Sequence, residues 1–258
     1  MLRVWDVLSG KQLQQIPTGE GTIYCAAALW GDRVVTGHEM REIRLWSLSG
    51  GGSAAGVLQG HTGSVSSLAV VGGGKAQGLL ASAGRNDGSV RLWDVDAGTC
   101  TAVLNGHTDS VWCLADMGGG RLLSGSLDRS LRVWNTATGA CLAVVPNAHG
   151  AGARGAFRAA CALLGGAATG SLGGSVQRWK WDEGTGALMP DGAALQLEGI
   201  PMLSLAAAQG PDGALQLLAC YDHTLRVLNS FGPCGVLRIH AELTGHSAVI
   251  HTLVVMRS

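Results

Sequence analysis

The chain carries a histidine, a serine and an aspartate at a spacing that could support nucleophilic catalysis: His107, Ser124 and Asp128. In a hydrolase the serine attacks, the histidine takes its proton, and the carboxylate orients the histidine ring. The same three residue types recur one unit earlier in the chain, at His61, Ser82 and Asp87. No Gly-x-Ser-x-Gly turn of the kind that exposes a catalytic serine is present. A repeated trio is typical of a building unit, so we predict that the protein is not an enzyme.

The segment that holds the central trio predicts four β-strands. Apolar and polar side chains alternate from Val111 to Asp116, which indicates a strand with two different faces. Three glycines end this strand, and further strands are predicted at 122–126, 131–134 and 141–145, with a polar turn around Asp128. A four-stranded antiparallel sheet without a helix cannot cover its own apolar faces. It therefore needs neighbouring sheets of the same kind.

The unit repeats along the chain. The marker is a tryptophan near the end of each third strand, replaced by leucine in the last copy, and it recurs roughly every 40 to 50 residues. The markers are Trp5, Trp46, Trp93, Trp134, Trp179 and Leu228. Together with the motif GH…SGSLDRSLRVWN, this period resembles the WD40-repeat β-propeller family over nearly all of the chain. The resemblance implies an all-β, WD40-like β-propeller.

Five complete four-stranded blades and an incomplete closing blade, all in one domain of residues 1–258, are predicted. The predicted blades are 23–58, 65–104, 111–145, 157–198 and 202–243, with a closing blade formed by 1–17 and 249–256. The closing blade lacks its second strand, which leaves two alternatives: a six-bladed ring with an incomplete blade, or a fragment of a longer, often seven-bladed, protein. We favour the fragment, because Met1 falls in the middle of a blade.

Composition limits the classes of partner. Lys+Arg and Asp+Glu are both 18, and a chain without net charge is not expected to bind nucleic acid generally. No apolar run reaches the roughly 20 residues of a membrane span, and no signal segment precedes Trp5. Seven cysteines without a CxxC pair favour small buried core residues in a reducing compartment. We expect an intracellular protein, cytoplasmic or nuclear, without cofactor or metal, as a monomer or a subunit of a larger complex.

The resemblance implies a buried hydrogen-bonded set in each blade, made of the Gly-His histidine, a second-strand Ser or Thr, the turn Asp and the Trp. We call this set the polar network. In two repeats the matching residues are His107, Ser124, Asp128 and Trp134, and His61, Ser82, Asp87 and Trp93. Ser82 and Asp87 lie one residue further apart than Ser124 and Asp128, which leaves the Ser82 link open. The other repeats lack at least one member; Met40 and Gly173 stand where the Asp is expected, and His149 is assigned to a glycine-rich loop.

The resemblance also implies which side chains ring the top of the central channel. These positions are three and five residues after the Gly-His histidine, together with the residue before the turn Asp. We call them the rim residues: Thr22, Tyr24, Ser64, Ser66, Asn86, Ser110, Trp112, Leu127, Tyr221, Val249 and His251. Trp112 and Tyr24 are the best candidate anchors, because aromatic side chains carry much of the energy of interfaces. Ordinary packing between blades remains the alternative for both.

Two arginines, Arg85 and Arg129, lie in turns next to the rim and could clamp a phosphorylated or acidic peptide. Solvated turn residues are the alternative. The predicted function is a non-enzymatic scaffold that binds other proteins or peptides on the rim. The second candidate is the substrate-recognition propeller of a ubiquitin ligase, similar to F-box/WD proteins that read phosphorylated peptides. Neither an F-box nor a WDxR motif is visible in this sequence.

Overall fold

The described part of the protein is built from β-strands. A computed structural model describes residues 2–5, 11–49, 51–72, 78–150, 155–163, 165–197, 202–209, 215–221, 224–231 and 236–243. Within these ranges the strands form one two-stranded sheet and five larger antiparallel sheets. The prediction of an all-β fold made of four-stranded sheets is confirmed.

The strands follow each other in chain order within every larger sheet. The first hairpin is β1 (Leu2–Trp5) and β2 (Gln12–Ile16). The first two large sheets are β3 (Ile23–Ala28), β4 (Arg33–His38), β5 (Glu42–Ser47), β6 (Ser53–Gln59), and β7 (Val65–Val71), β8 (Leu79–Gly84), β9 (Val90–Asp94), β10 (Thr99–Leu104). The third is β11 (Val111–Gly118), β12 (Arg121–Ser126), β13 (Leu131–Asn135) and β14 (Cys141–Val145).

The fourth sheet contains a strand that the sequence pattern did not predict. It is formed by β15 (Phe157–Leu163), β16 (Gly166–Ser171), β17 (Ser175–Asp182) and β18 (Ala187–Pro190), and the short β19 (Leu195–Gln196) also pairs with β17. The fifth sheet is β20 (Ser204–Gln209), β21 (Leu215–Tyr221), β22 (Thr224–Phe231) and β23 (Val236–Leu243). We call the five large sheets blades 1 to 5.

Neighbouring blades pack through their first strands, in the order β3, β7, β11, β15 and β20. The apolar clusters therefore span two blades each. Leu45 of blade 1 shares a core with Leu80 of blade 2, and Leu123 of blade 3 shares one with Trp179 of blade 4. Each blade buries its apolar face against the next, as expected for a sheet that cannot cover itself.

The first hairpin lies against blade 1. Ile16 of β2 is fully buried and packs where a Cβ at Gly52 would be, and the Gln14 amide donates to the Leu48 carbonyl at 3.2 Å. The predicted pairing of this hairpin with residues 249–256 lies outside the described residues. The closing blade therefore remains a prediction.

The five cysteines whose side chains the structure describes fall into two groups. Cys25, Cys113 and Cys161 are buried in first strands, and burial raises the pKa of each thiol to about 12. Cys100 and Cys141 lie exposed on the outer strands β10 and β14, so the prediction that the cysteines are small core residues is wrong for these two. Outer strands have no further strand of their own sheet beyond them, which leaves many of their side chains in solvent.

Three glycines allow neighbouring blades to approach closely. They occupy one position in the second strands of blades 1, 3 and 4, namely Gly37, Gly125 and Gly170. A Cβ on Gly125 would lie 2.8 Å from Cβ of Phe157 in the next blade, and one on Gly170 would lie 2.0 Å from Sδ of Met202. The packing of these second strands against the beginning of the next blade therefore depends on the missing side chain at these positions.

We expect Gly125→Ala to lower the free energy of unfolding by about 1–3 kcal/mol, the usual cost of overpacking a core. The added methyl group meets the Cys113 sulfur at 2.7 Å and Cβ of Phe157 at 2.8 Å, and Cβ of Phe157 cannot move without its strand. Urea unfolding measures the change. Gly56→Ala is the matched control, because Gly56 is exposed in β6 and a methyl group there would meet no atom within 4 Å. Equal stability of the two variants would contradict the proposed close packing.

Candidate functional site

The central trio forms hydrogen bonds inside blade 3. His107 Nδ1 lies 2.8 Å from Asp128 Oδ2, and His107 Nε2 lies 2.8 Å from Ser124 Oγ. The indole N–H of Trp134 donates to the same Ser124 Oγ at 2.8 Å. With the proton on Nδ1, the imidazole donates to the carboxylate and accepts from the serine hydroxyl, so every group in the chain of bonds has a partner.

Blade 2 repeats this arrangement in spite of its longer turn. His61 lies 2.7 Å from Asp87 and 2.6 Å from Ser82, and Trp93 donates to Ser82 at 2.7 Å. The link that the spacing left open is therefore present. The additional residue is absorbed in the turn, where Asn86 has a positive φ of 63°. Asparagine tolerates this left-handed conformation better than most residues.

Blade 4 contains a network that the sequence pattern missed. His149 Nε2 lies 2.9 Å from Thr169 Oγ1, and His149 Nδ1 lies 3.0 Å from Ser175 Oγ. Trp179 donates to Thr169 at 2.7 Å. His149 therefore replaces the Gly-His histidine, although it precedes its glycine and stands 20 residues before Thr169, against 17 in blade 3. The recurring feature is the three-dimensional position of the ring and not its place in the motif.

Blade 1 reaches a similar result with a histidine from its second strand. Thr36 Oγ1 lies 2.8 Å from His38 Nε2 and accepts the indole N–H of Trp46 at 2.8 Å. Met40, at the expected Asp position, is 65% exposed. Burial and the nearby Arg44 charge lower the pKa of His38. Four blades thus satisfy their buried tryptophan through a hydroxyl and a histidine, and the histidine comes from three different sequence positions.

These networks are suited to holding strands together. Burial alone would raise the pKa of Asp87 and Asp128, but hydrogen bonds from the histidine and from a turn serine lower the pKa of both carboxyl groups. Ser124 is fully buried and already accepts the Trp134 indole N–H. A buried serine hydroxyl has no access to the substrate that it would have to attack in hydrolysis. Among the described residues, no group of three His, Cys, Asp or Glu side chains could hold a metal ion.

Several predicted rim residues join neighbouring blades. Ser110 is buried; its hydroxyl accepts the backbone N–H of Asn86 at 2.9 Å and donates to the Asn86 side chain at 3.1 Å. Ser64 donates to the Glu39 carbonyl of blade 1 at 3.1 Å. The backbone N–H of Leu127 bonds to the Ser110 carbonyl at 2.9 Å. Ordinary packing within and between blades accounts for these contacts.

A second group of predicted rim residues faces a common space. At Tyr24, Ser66 and Trp112 the register between the first and second strands of a blade shifts by one residue, which marks a β-bulge. The same shift occurs at Arg158 of blade 4. Bulges redirect a side chain relative to its strand. All four residues line one cavity of about 560 Å³ between the first strands.

The cavity contains a cluster of aromatic rings and arginines. The Arg85 guanidinium carbon lies 4.7 Å from the ring centroid of Trp112 and 5.8 Å from that of Tyr24. The Arg158 guanidinium carbon lies 3.8 Å from the centroid of Trp112. Burial and the neighbouring Arg85 charge lower the pKa of Arg158. We call Tyr24, Arg85, Trp112 and Arg158 the channel cluster.

Arg158 was not predicted from the sequence, and Arg129, which was, is not among the described residues that line the cavity. The signal for Arg158 is its place directly after the buried Phe157, as Trp112 follows the buried Val111. Counting from a Gly-His motif missed it, because blade 4 has none. Thr22 is exposed and lines the cavity. Tyr221 ends β21, but its side chain lies outside the described structure, as do Val249 and His251.

Stacked antiparallel sheets with a recurring Trp–Ser/Thr–His network define a β-propeller type of repeat protein. Residues 52–94 and 98–135 match the family model for the WD domain, G-beta repeat (WD40). A solved structure of U3-55K is similar at TM-score 0.72 and 24% identity, covering 85% of this chain and 66% of that chain. The chain carries WD40 repeats, and the predicted resemblance to WD40 propellers is confirmed.

Protein tipD from Dictyostelium discoideum is 31% identical over 96 residues. The match covers 37% of this chain and 15% of tipD, so the two proteins share one segment of similar sequence. Among the residues that the structure describes, no helix has the length and apolar character needed to span a bilayer.

We expect His149→Gln to flatten the pH dependence of stability. Burial lowers the pKa of His149 to about 4, well below the roughly 6.5 of an unfolded histidine. The contribution of neutral His149 to the free energy of unfolding is therefore complete at pH values above about 6.5, the pKa of an unfolded histidine. It is lost as the pH falls from about 6.5 towards 4. Glutamine can still hydrogen-bond to Thr169 and Ser175 but cannot be protonated in this range.

Between pH 7 and pH 5, the wild-type protein should lose about 2 kcal/mol more unfolding free energy than the variant does. Urea denaturation at both pH values measures this, and the variant's own stability at pH 7 serves as the reference for any loss of fit. Equal losses in the two proteins would show that His149 is not held as a buried neutral imidazole.

Proposed function

We propose that the protein is a non-enzymatic scaffold that binds another protein or a peptide at the cavity that contains the channel cluster. Support comes first from the WD40 repeats, a unit typical of protein-interaction propellers. The residues of the polar network that could do chemistry are occupied in hydrogen bonds within the blades. The surface that several blades share is then the best candidate for function.

The observation that carries the proposal is the recurring bulge. Four blades turn one side chain each, Tyr24, Ser66, Trp112 and Arg158, into one space. In blades 1, 2 and 4 this is the one register shift between the first two strands, whereas blade 3 has a second shift between Asp116 and Gly118, away from the cavity. Half-buried aromatic side chains beside arginines are the composition that interface hot spots favour.

The second candidate is the substrate-recognition propeller of a ubiquitin ligase. The specific observation in its favour is the presence of two arginines in the cavity, without an ion pair to a carboxylate among the described residues. A phosphorylated segment would supply the missing anion. If a partner is read in this way, its recovery should be lost after phosphatase treatment of the extract, whereas recovery that resists phosphatase would exclude this candidate.

Trp112→Ala should abolish recovery of a partner that co-purifies with the wild-type chain from cell extract, while the melting temperature stays close to the wild-type value. The reason is that the half-buried Trp112 ring faces the cavity and is not part of an apolar cluster among the described residues. Recovery is measured by quantitative mass spectrometry with equal amounts of folded bait.

The matched control is Trp30→Ala. Trp30 is also half-buried and also carries an arginine on its ring, Arg33, but it follows the far end of β3 from Tyr24 and packs against the core shared by blades 1 and 2. Partner recovery that is unchanged by Trp112→Ala, or is lost equally in both variants, would reject the cavity as the binding surface.

A further inference from the structure

We propose that the blade 5 side of the cavity, at Leu203, receives an apolar side chain of the bound peptide. This inference rests on the proposed function, because it names one type of residue that a partner must present to the cavity. Leu203 is not among the predicted rim residues, because no Gly-His motif precedes β20 from which the position could be counted.

Leu203 is the blade 5 counterpart of the bulge residues. The second-strand Gly125 of blade 3 faces the fully buried Phe157, and the residue after Phe157 is the bulge residue of blade 4. In the same way, Gly170 of blade 4 faces the fully buried Met202, which Leu203 follows. Leu203 is half-buried and lines the same cavity as the four bulge residues. The ring of side chains around this space therefore has a fifth, apolar member.

The wall that blades 4 and 5 contribute to the cavity is mainly apolar. Apart from Arg158 and Ser204, the described residues that line the cavity from these two blades are alanine, leucine or cysteine. Ala160 and Ala207 are half-buried, so part of their surface faces the open space. Leu203 belongs to no apolar core cluster in the described part of the chain. Its side chain is therefore available to an apolar group that enters the cavity.

The chemistry of the cavity favours an apolar side chain at Leu203 over a charged one. Burying a charge against alanine and leucine without an opposite charge is costly. Arg85 and Arg158 line the cavity, and the described lining includes no aspartate or glutamate, so a lysine or arginine of the partner would be repelled. A carboxylate would pair with one of the two arginines and leave the Leu203 side uncovered. An apolar side chain gains free energy in proportion to the apolar area that it covers.

The probe is a phage-displayed library of random linear peptides, selected on the immobilised whole chain. Selected peptides whose binding is weakened by Trp112→Ala should share one position that holds Leu, Ile, Val, Met or Phe. Replacing this residue by alanine in the synthetic peptide should weaken binding to the wild-type chain about tenfold or more, the effect of losing one buried apolar side chain. Fluorescence anisotropy of the labelled peptide measures the affinity.

Leu203→Asp should reverse the preference at the shared position. The variant should bind the selected peptide about tenfold or more weakly than the wild-type chain does, and should prefer the same peptide with lysine at that position. Leu203→Ala should weaken binding without this reversal. Val103→Asp is the matched control, because Val103 is 43% exposed on β10 and does not line the cavity. The control should leave the affinities for both peptides unchanged.

The outcomes separate this inference from the proposed function. Trp112-dependent peptides without a shared apolar position, or affinities that change equally in Leu203→Asp and Val103→Asp or in neither, would overturn the inference and keep the cavity as the binding surface. Failure to select any peptide that Trp112→Ala weakens would instead reject the proposed function. A wild-type dimer in sedimentation experiments that Leu203→Asp dissociates would overturn the inference in favour of a second copy of this chain as the group that covers Leu203.

Discussion

The close approach of first strands from neighbouring blades is the constraint on which the rest of the structure depends. Each blade is one sheet with apolar residues on both faces, and the next blade provides the cover that the sheet itself cannot. Beside these strands, the second-strand glycines Gly37, Gly125 and Gly170 lie so close to the next blade that a methyl group would have no room. Because the first strands are the elements that meet, they also enclose the cavity. Stability and the proposed binding surface therefore share the same strands.

Much of the fold could be predicted from the sequence, because the blades bury apolar residues with a two-residue period. The outer strand β14 begins and ends where the pattern indicates, and β23 ends at Leu243, the predicted end of its blade. The predicted polar network of blade 3 has its hydrogen bonds for a similar reason: a buried indole and imidazole need partners, and the motif puts them within reach. Sequence is sufficient to predict a contact where both residues belong to the same blade and the motif sets their spacing.

The parts that could not be predicted are contacts that sequence spacing does not control. His149 and His38 reach a Thr hydroxyl from a long loop and from a second strand, so no fixed count from a glycine finds them. Arg158 became visible only through its bulge and its position after a buried residue. The spacing predicts Ser110 on the rim, yet its hydrogen bonds to Asn86 connect blade 3 to blade 2. Which of two rim positions is buried depends on the neighbouring blade.

This division among the rim residues explains how a repeating scaffold acquires a non-repeating site. Ser64 and Ser110 hydrogen-bond across a blade boundary, and both are serine because the preceding blade offers a backbone partner from its turn each time. Positions at the bulge share no such common partner, and there the four blades carry Tyr24, Ser66, Trp112 and Arg158. Ser66 still donates a hydrogen bond across the blade boundary to the Val111 carbonyl, but the bulge position carries a different residue type in each of the four blades. Two of the four are large aromatic rings and one is an arginine, so the blades differ in chemistry where their side chains meet in one cavity.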